Sequence, residues 1–100
     1  MIRHVVMWRF EENAEGKTRQ QNMEYIRDRL MALLPIIPEI KRMEIGFDVL
    51  HSDMSYDMIL LTEFDSLDDL NYYKNHPDHV AVSQYVAKVR TSRVVCDCEI

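Results

Sequence analysis

This chain has few of the residues that punctuate or staple a polypeptide: two glycines, three prolines and two cysteines in 100 residues. That scarcity, beside 47% hydrophobic and 29% charged residues, excludes a disordered or low-complexity protein. The only cysteines, Cys96 and Cys98, lie two residues apart in a strand-like segment and should project to the same face, a poor disposition for an unstrained disulfide. A lone C-x-C also lacks the two further ligands of a tetrahedral site, so no metal is expected and the pair reads as buried thiols in a reducing compartment. There is no internal repeat and no phosphate-binding motif.

The longest apolar run is too short to span a bilayer, and the chain goes straight into a strand-like pattern at Ile2 with no signal-peptide core. A cytoplasmic protein without a membrane partner is expected. The net charge of −5, with lysines and arginines interleaved among acids, argues against a nucleic-acid surface. One hundred residues make one domain, able to bury roughly two thirds of its unfolded surface without metal or disulfide support.

What the sequence does contain is clear periodicity. Ile2 to Phe10 is rich in β-formers and reads as the first strand. Asn13 can cap a long helix whose apolar positions Met23, Ile26, Leu30, Leu33 and Leu34 step by three and four up to Pro35. Residues 40 to 49 alternate through Met43, Ile45, Phe47 and Val49 as a second strand, and Tyr56 to Phe64 supplies a third. Ser66 with Asp69 makes a capping-box-like start for a helix that runs to Asn75-His76, resumes at Pro77 and continues to about Arg90. Arg93 to Cys98 closes the chain as a fourth strand.

The order βαββαβ predicts a ferredoxin-like α+β fold, a four-stranded antiparallel sheet with helices on one face. An antiparallel sheet with one wet face should alternate cleanly, yet strands one and three are apolar at both parities. Ile2, Val6, Trp8 and Phe10 fall on one face of the first strand, Val5 and Met7 on the other. Two helices cover one face only, so the simplest cover for the second is another copy of the same sheet. The expected assembly is a homodimer, a dimeric α/β barrel.

Chemistry is best sought in Tyr73-Lys74-Asn75-His76-Pro77-Asp78-His79, where a tyrosine and two histidines surround a helix break. Pro77 pushes His76 out of the α region and suits the first turn of the next helix. His79 precedes Val82 by three residues on the stripe shared with Val86 and Val89, so it points inward. The dipole at that helix start and burial both favour a neutral imidazole, while Asp78 opposes them. Tyr73 follows Leu70 on the inward face, whereas Tyr72 follows Asp68 and Asp69 on the wet one, so Tyr73 is the partner for His79. The plainer reading of both is core packing with satisfied polar ends.

His4 shares a strand face with Val6, Trp8 and Phe10, which suits either a ligand pocket or a histidine bonded to a backbone carbonyl. Asp97, near the end of the chain, reads as an exposed edge-strand carboxylate or as part of a pocket, and Trp8 as core or as ligand wall.

The chain resembles the stress-responsive A/B-barrel (Dabb) domain family, within the dimeric α+β barrels. The likeness runs over essentially the whole chain. It rests on the opening Ile2-Arg3-His4-Val5-Val6-Met7-Trp8-Arg9-Phe10, the Ile37-Pro38 turn, Tyr56-Asp57, Glu63-Phe64 and above all His76-Pro77-Asp78-His79-Val80. The resemblance implies the same fold and a homodimer. One plant branch of the family closes polyketide rings, which implies His79 as base and Tyr73 as its partner, with His4 and Asp97 lining the same pocket. The chain departs from some relatives at Met58, where they carry a histidine, and in a shorter polar turn before the third strand.

The expected function is therefore binding of a small apolar or carbonyl-containing ligand between sheet and helices. His79 and Tyr73 would supply cofactor-independent acid-base chemistry of a cyclase or isomerase kind, and His4, Trp8 and Asp97 would contact the ligand. The alternative is a non-catalytic, stress-associated structural or carrier protein. Heme ligation through a histidine and oxygen-dependent oxidation of quinol-like substrates occur on related barrels, but no motif here specifies either, and no cofactor is expected.

Overall fold

The β-rich run at the start of the chain forms β1 (Ile2–Phe10), in a computed structural model that describes residues 1–100. It is followed by a short hairpin, β2 (Asn13–Ala14) and β3 (Lys17–Thr18), then by α1 (Arg19–Met31), β4 (Arg42–Phe47) and β5 (Met58–Phe64). α2 (Leu67–Asn75) and α3 (Pro77–Val89) lead into the closing strand β6 (Arg90–Glu99). The main sheet has the order β4-β5-β1-β6 with every pairing antiparallel. This is the ferredoxin-like arrangement that the βαββαβ pattern predicts. No helix is long and apolar enough to cross a membrane.

One boundary corrects the sequence reading. Asn13 does not cap α1; it pairs with Thr18 in the small hairpin. Glu15 and Gly16, at φ 52° and 73°, make the tight turn between β2 and β3, a backbone shape that glycine adopts at no steric cost. Thr18 is the cap: its hydroxyl accepts from the Gln21 N–H at 3.2 Å, and Gln21 Oε1 accepts from the Thr18 N–H at 2.9 Å. This reciprocal box satisfies two otherwise orphaned donors and outcompetes a lone asparagine five residues upstream. α1 also stops short of Pro35, at Met31, and Leu33 and Ile37 are buried from the turns that follow.

The helices pack on one face of the sheet. On β1 that face is His4, Val6, Trp8 and Phe10, all buried, and on β5 it is Met58, Leu60, Thr62 and Phe64. Met23, Ile26 and Leu30 of α1, Leu70 and Tyr73 of α2, and Val82, Val86 and Val89 of α3 complete the core from above. The small hairpin is tied to this layer by Asn22, which donates to the Ala14 carbonyl at 3.1 Å and accepts from the Tyr85 hydroxyl at 2.5 Å.

The opposite face carries no element of the chain. Val5 and Met7 lie there beside their register partners Leu61 and Cys96, Ile59 and Val94. Ile59 and Val94 are each 38% exposed, whereas Val6, one residue from Val5, is 2% exposed. One end of this apolar strip is bounded by a charge array: Glu63 accepts from Arg42 at 3.1 Å and from Arg3 at 3.5 Å, and Arg42 also reaches Glu44 at 2.6 Å.

Candidate functional site

The break between α2 and α3 builds the site. His76 precedes a proline and is extended, with φ −63° and ψ 132°, so it ends one helix and caps the next. Its N–H donates to the Tyr73 carbonyl at 3.2 Å, and its Nδ1 accepts from the Asp78 N–H at 3.1 Å. Stopping α2 here leaves its last carbonyls without intrahelical partners. His79, on the first turn of α3, takes up the one at Lys74 through its Nδ1 at 3.1 Å. A carbonyl only accepts, so Nδ1 carries the hydrogen and Nε2 of neutral His79 keeps its lone pair with no protein partner.

His4 reaches the same place from β1. It is 3% exposed, and its Nδ1 is held by the Asp97 carboxylate from β6, the residue opposite it in the ladder. Here too Nδ1 donates and Nε2 is left free of protein partners. Two imidazoles are thus fixed in the same tautomer by different devices, one a backbone carbonyl and one a cross-strand carboxylate.

Both histidines line a cavity of about 350 Å³ between α3 and the sheet. This lies within the range of small-molecule sites, roughly 300–1,000 Å³. Its floor is apolar, formed by Val6, Trp8, Leu30, Leu60, Val82 and Val86. Lys74, Ser83, Arg90 and Arg93 bring polar groups to it. Burial holds the affinity of His79 for a proton below the ordinary imidazole value, partly offset by the Lys74 carbonyl and reinforced by His4, Arg93 and Lys74. Burial lowers His4 as well, against the opposing pull of Asp97. Both rings are neutral near pH 7.

Tyr73 lies beneath the two rings, fully buried, with centroids 4.2 Å from His79, 6.3 Å from His4 and 5.1 Å from Phe64. Its hydroxyl is sealed from solvent and has no hydrogen-bond partner, and burial raises its pKa well above that of a free phenol. Tyr73 is not part of the cavity wall. Of the residues singled out in the sequence, His79, His4 and Trp8 line the cavity, Asp97 acts on it through His4, and Tyr73 packs against both histidines. Tyr72 is 53% exposed and faces away. Cys96 is exposed and Cys98 half-buried, which corrects the reading of both as buried thiols; both are free, and no group of three His, Cys, Asp or Glu side chains converges as a metal site would require.

Sequence reasoning missed Lys74, Ser83, Arg90 and Arg93. Ser83 and Arg90 were within reach, because 79, 83, 86 and 90 step along one helical stripe. Arg93 was not: it enters the site through its position opposite Trp8 in the β1–β6 register.

The sheet order and the one-sided helices define a ferredoxin-like α+β protein. The chain belongs to the stress-responsive A/B barrel domain family, which matches residues 2–100. It is similar to a dimeric protein of unknown function with a ferredoxin-like fold from Bacteroides fragilis, at 27% identity and TM-score 0.87 over 99% of this chain and 95% of that one. A dimeric ferredoxin-like protein of unknown function from Thermobifida fusca is also 27% identical, with TM-score 0.84 over 99% and 90% of the two chains. A hydroxynitrile lyase from Passiflora edulis shares the fold at 19% identity and TM-score 0.83, over 99% and 92%. A search of curated protein sequences finds no match.

Proposed function

We propose that this protein is a cytoplasmic homodimer that binds a small carbonyl-containing ligand in the cavity under α3, with His79 as general base. The observation that carries this reading is the pair of neutral imidazoles, each with Nδ1 committed and Nε2 free, on the wall of an apolar cavity of about 350 Å³. His79 Nε2 takes a proton from the carbon next to the carbonyl; the C–H bond breaks and its electron pair moves to the carbonyl oxygen as an enolate. The imidazolium then returns the proton at another position, or the enolate carbon bonds to a second carbonyl of the same molecule, whose oxygen becomes an alkoxide and takes the proton back from the imidazolium. Neither outcome needs an oxidant, a reductant or a cofactor.

His4, positioned by Asp97, contacts the ligand from the sheet side, and Trp8 supplies a flat wall. Tyr73, whose hydroxyl is sealed off, is assigned to holding the His79 ring in place, supported by the 4.2 Å packing of the two rings. Dimerisation through the bare sheet face is supported by the apolar strip around Val5 and Met7 and by the dimeric relatives at 27% identity. The free thiols fit a reducing compartment.

A ketone probe tests the chemistry. Benzylacetone in deuterium oxide should exchange its α-protons faster with the protein than in buffer, as read by proton NMR. His79→Gln should lose about 10²–10⁴ of that acceleration. Exchange at the buffer rate with the wild-type protein would sink the base assignment. A second reading, a carrier that holds its ligand unchanged, is favoured by one observation: the Tyr73 hydroxyl is sealed from the cavity. That reading predicts binding of the ketone without exchange.

A further inference from the structure

The charge around the cavity runs against the charge of the chain. Acids outnumber lysines and arginines by 17 to 12, yet no carboxylate lines the cavity, and Asp97, which acts on it through His4, is committed to that imidazole. Eight of the twelve lysines and arginines have an acid, a hydrogen-bond acceptor or an aromatic face as partner. The four without one are Lys74, Lys88, Arg90 and Arg93, and all but Lys88 line the cavity. They come from two elements, Lys74 from α2 and Arg90 and Arg93 from the start of β6, so one helix face does not explain their convergence. All three residues are exposed, at the rim, while the floor beneath them is aliphatic and aromatic.

We propose that the ligand is an amphipathic carboxylate, its apolar, carbonyl-bearing body against Val6, Trp8, Leu60 and Val86 and its carboxylate among Lys74, Arg90 and Arg93. This rests on the reading of the cavity as a ligand site and adds the chemical class that the site selects. Guanidinium groups match the planar, two-oxygen shape of a carboxylate, and long cationic stems at a rim pack on an apolar body while the heads meet the anion. A phosphate is less well served, because the N–H groups of Asp78 and Val80 at the start of α3 are already bonded to His76. The bound carboxylate also has a chemical consequence. Burial chiefly, with Arg93 and Lys74 adding to it, opposes an imidazolium at His79, and an anion between the two cations offsets their share as His79 takes up its proton.

Isothermal titration with benzoylpropionate and its methyl ester, which share one body and differ by one charge, tests the inference. The acid should bind about tenfold or more tightly than the ester, the effect of one charge-assisted contact. That advantage should shrink toward unity in Arg90→Gln/Arg93→Gln and fall as salt is added. Equal binding of acid and ester to the wild-type protein overturns the anion selectivity and leaves the ligand site standing. No binding of either overturns both. Displacement of the acid by inorganic phosphate at equal concentration overturns the amphipathic assignment in favour of a simple anion site. Circular dichroism checks the fold of the double variant, and Lys74→Gln repeats the test without touching β6.

Discussion

The two faces of the sheet are made from alternate residues of the same strands, and they are finished differently. The helix-covered face combines Val6, Trp8 and Phe10 with a buried histidine and a cavity; the bare face combines Val5, Met7, Ile59 and Leu61 with a bounded charge array. On the covered face His4 finds its partner within the chain, Asp97, whereas the Trp8 Nε1 and the Tyr73 hydroxyl have none. At the edge of the bare face Arg3, Arg42, Glu44 and Glu63 pair with one another, and no element of the chain covers the apolar strip beside them. Period-two alternation therefore separates a covered face with a cavity from a bare apolar face within single strands, and the proposed ligand chemistry and assembly fall on opposite sides.

The sharpest way to break this comparison is to place the same substitution on neighbouring residues. Val6→Asp buries an unpaired carboxylate at a site 2% exposed, a cost of several kcal/mol against a total stability of about 5–15 kcal/mol, and the chain should lose its near-UV circular dichroism. Val5→Asp faces the bare side. The fold should survive while dimer affinity falls by about 2–5 kcal/mol, visible as monomer in sedimentation equilibrium. Identical behaviour of the two variants would mean that the faces are not divided in this way.

A smaller effect sharpens the account of the covered face. His4 and His79 are both held below their ordinary value of 6.5, chiefly by burial, with Lys74 and Arg93 adding to it and Asp97 and the Lys74 carbonyl opposing it. The unfolded chain therefore binds more protons on the acid side. The stability of these neutral rings is fully present above pH 6.5 and is lost as pH falls through the depressed native values. Urea midpoints at fixed protein concentration should drop between about pH 7.5 and 5.5, above the carboxylate range, and His79→Gln should flatten that slope.

The smallest expected effect concerns Tyr73. Its buried hydroxyl lacks a partner, so Tyr73→Phe should leave the fold as stable or more so, by about 1 kcal/mol in urea titration. If the Tyr73 ring alone supports His79, ketone exchange by the same variant should be unchanged. A stability gain with unchanged exchange would assign Tyr73 to packing alone.

Much of this arrangement is legible along the chain, because local rules act over three or four residues. The pre-proline restriction at His76, the phase that buries Tyr73 and exposes Tyr72, and the two-sided strands all follow from neighbours in sequence. The start of α1 was missed by the same kind of reasoning, although Thr18 and Gln21 carried the signal. The rim of the cavity is a different matter. Lys74, Arg90 and Arg93 look like ordinary surface cations in sequence and acquire meaning only when α2 and β6 bring them together.

The sequence by itself determined the order of the elements, the helix break, and which side chains of each element turn inward, since helical and strand periods set these locally. Only the tertiary structure decided that Asp97 holds His4 across 93 residues of chain, that the Lys74 carbonyl fixes the tautomer of His79, and that three unpaired cations surround an apolar cavity. Those are consequences of strand register and helix docking, long-range choices made by the packing of the whole core.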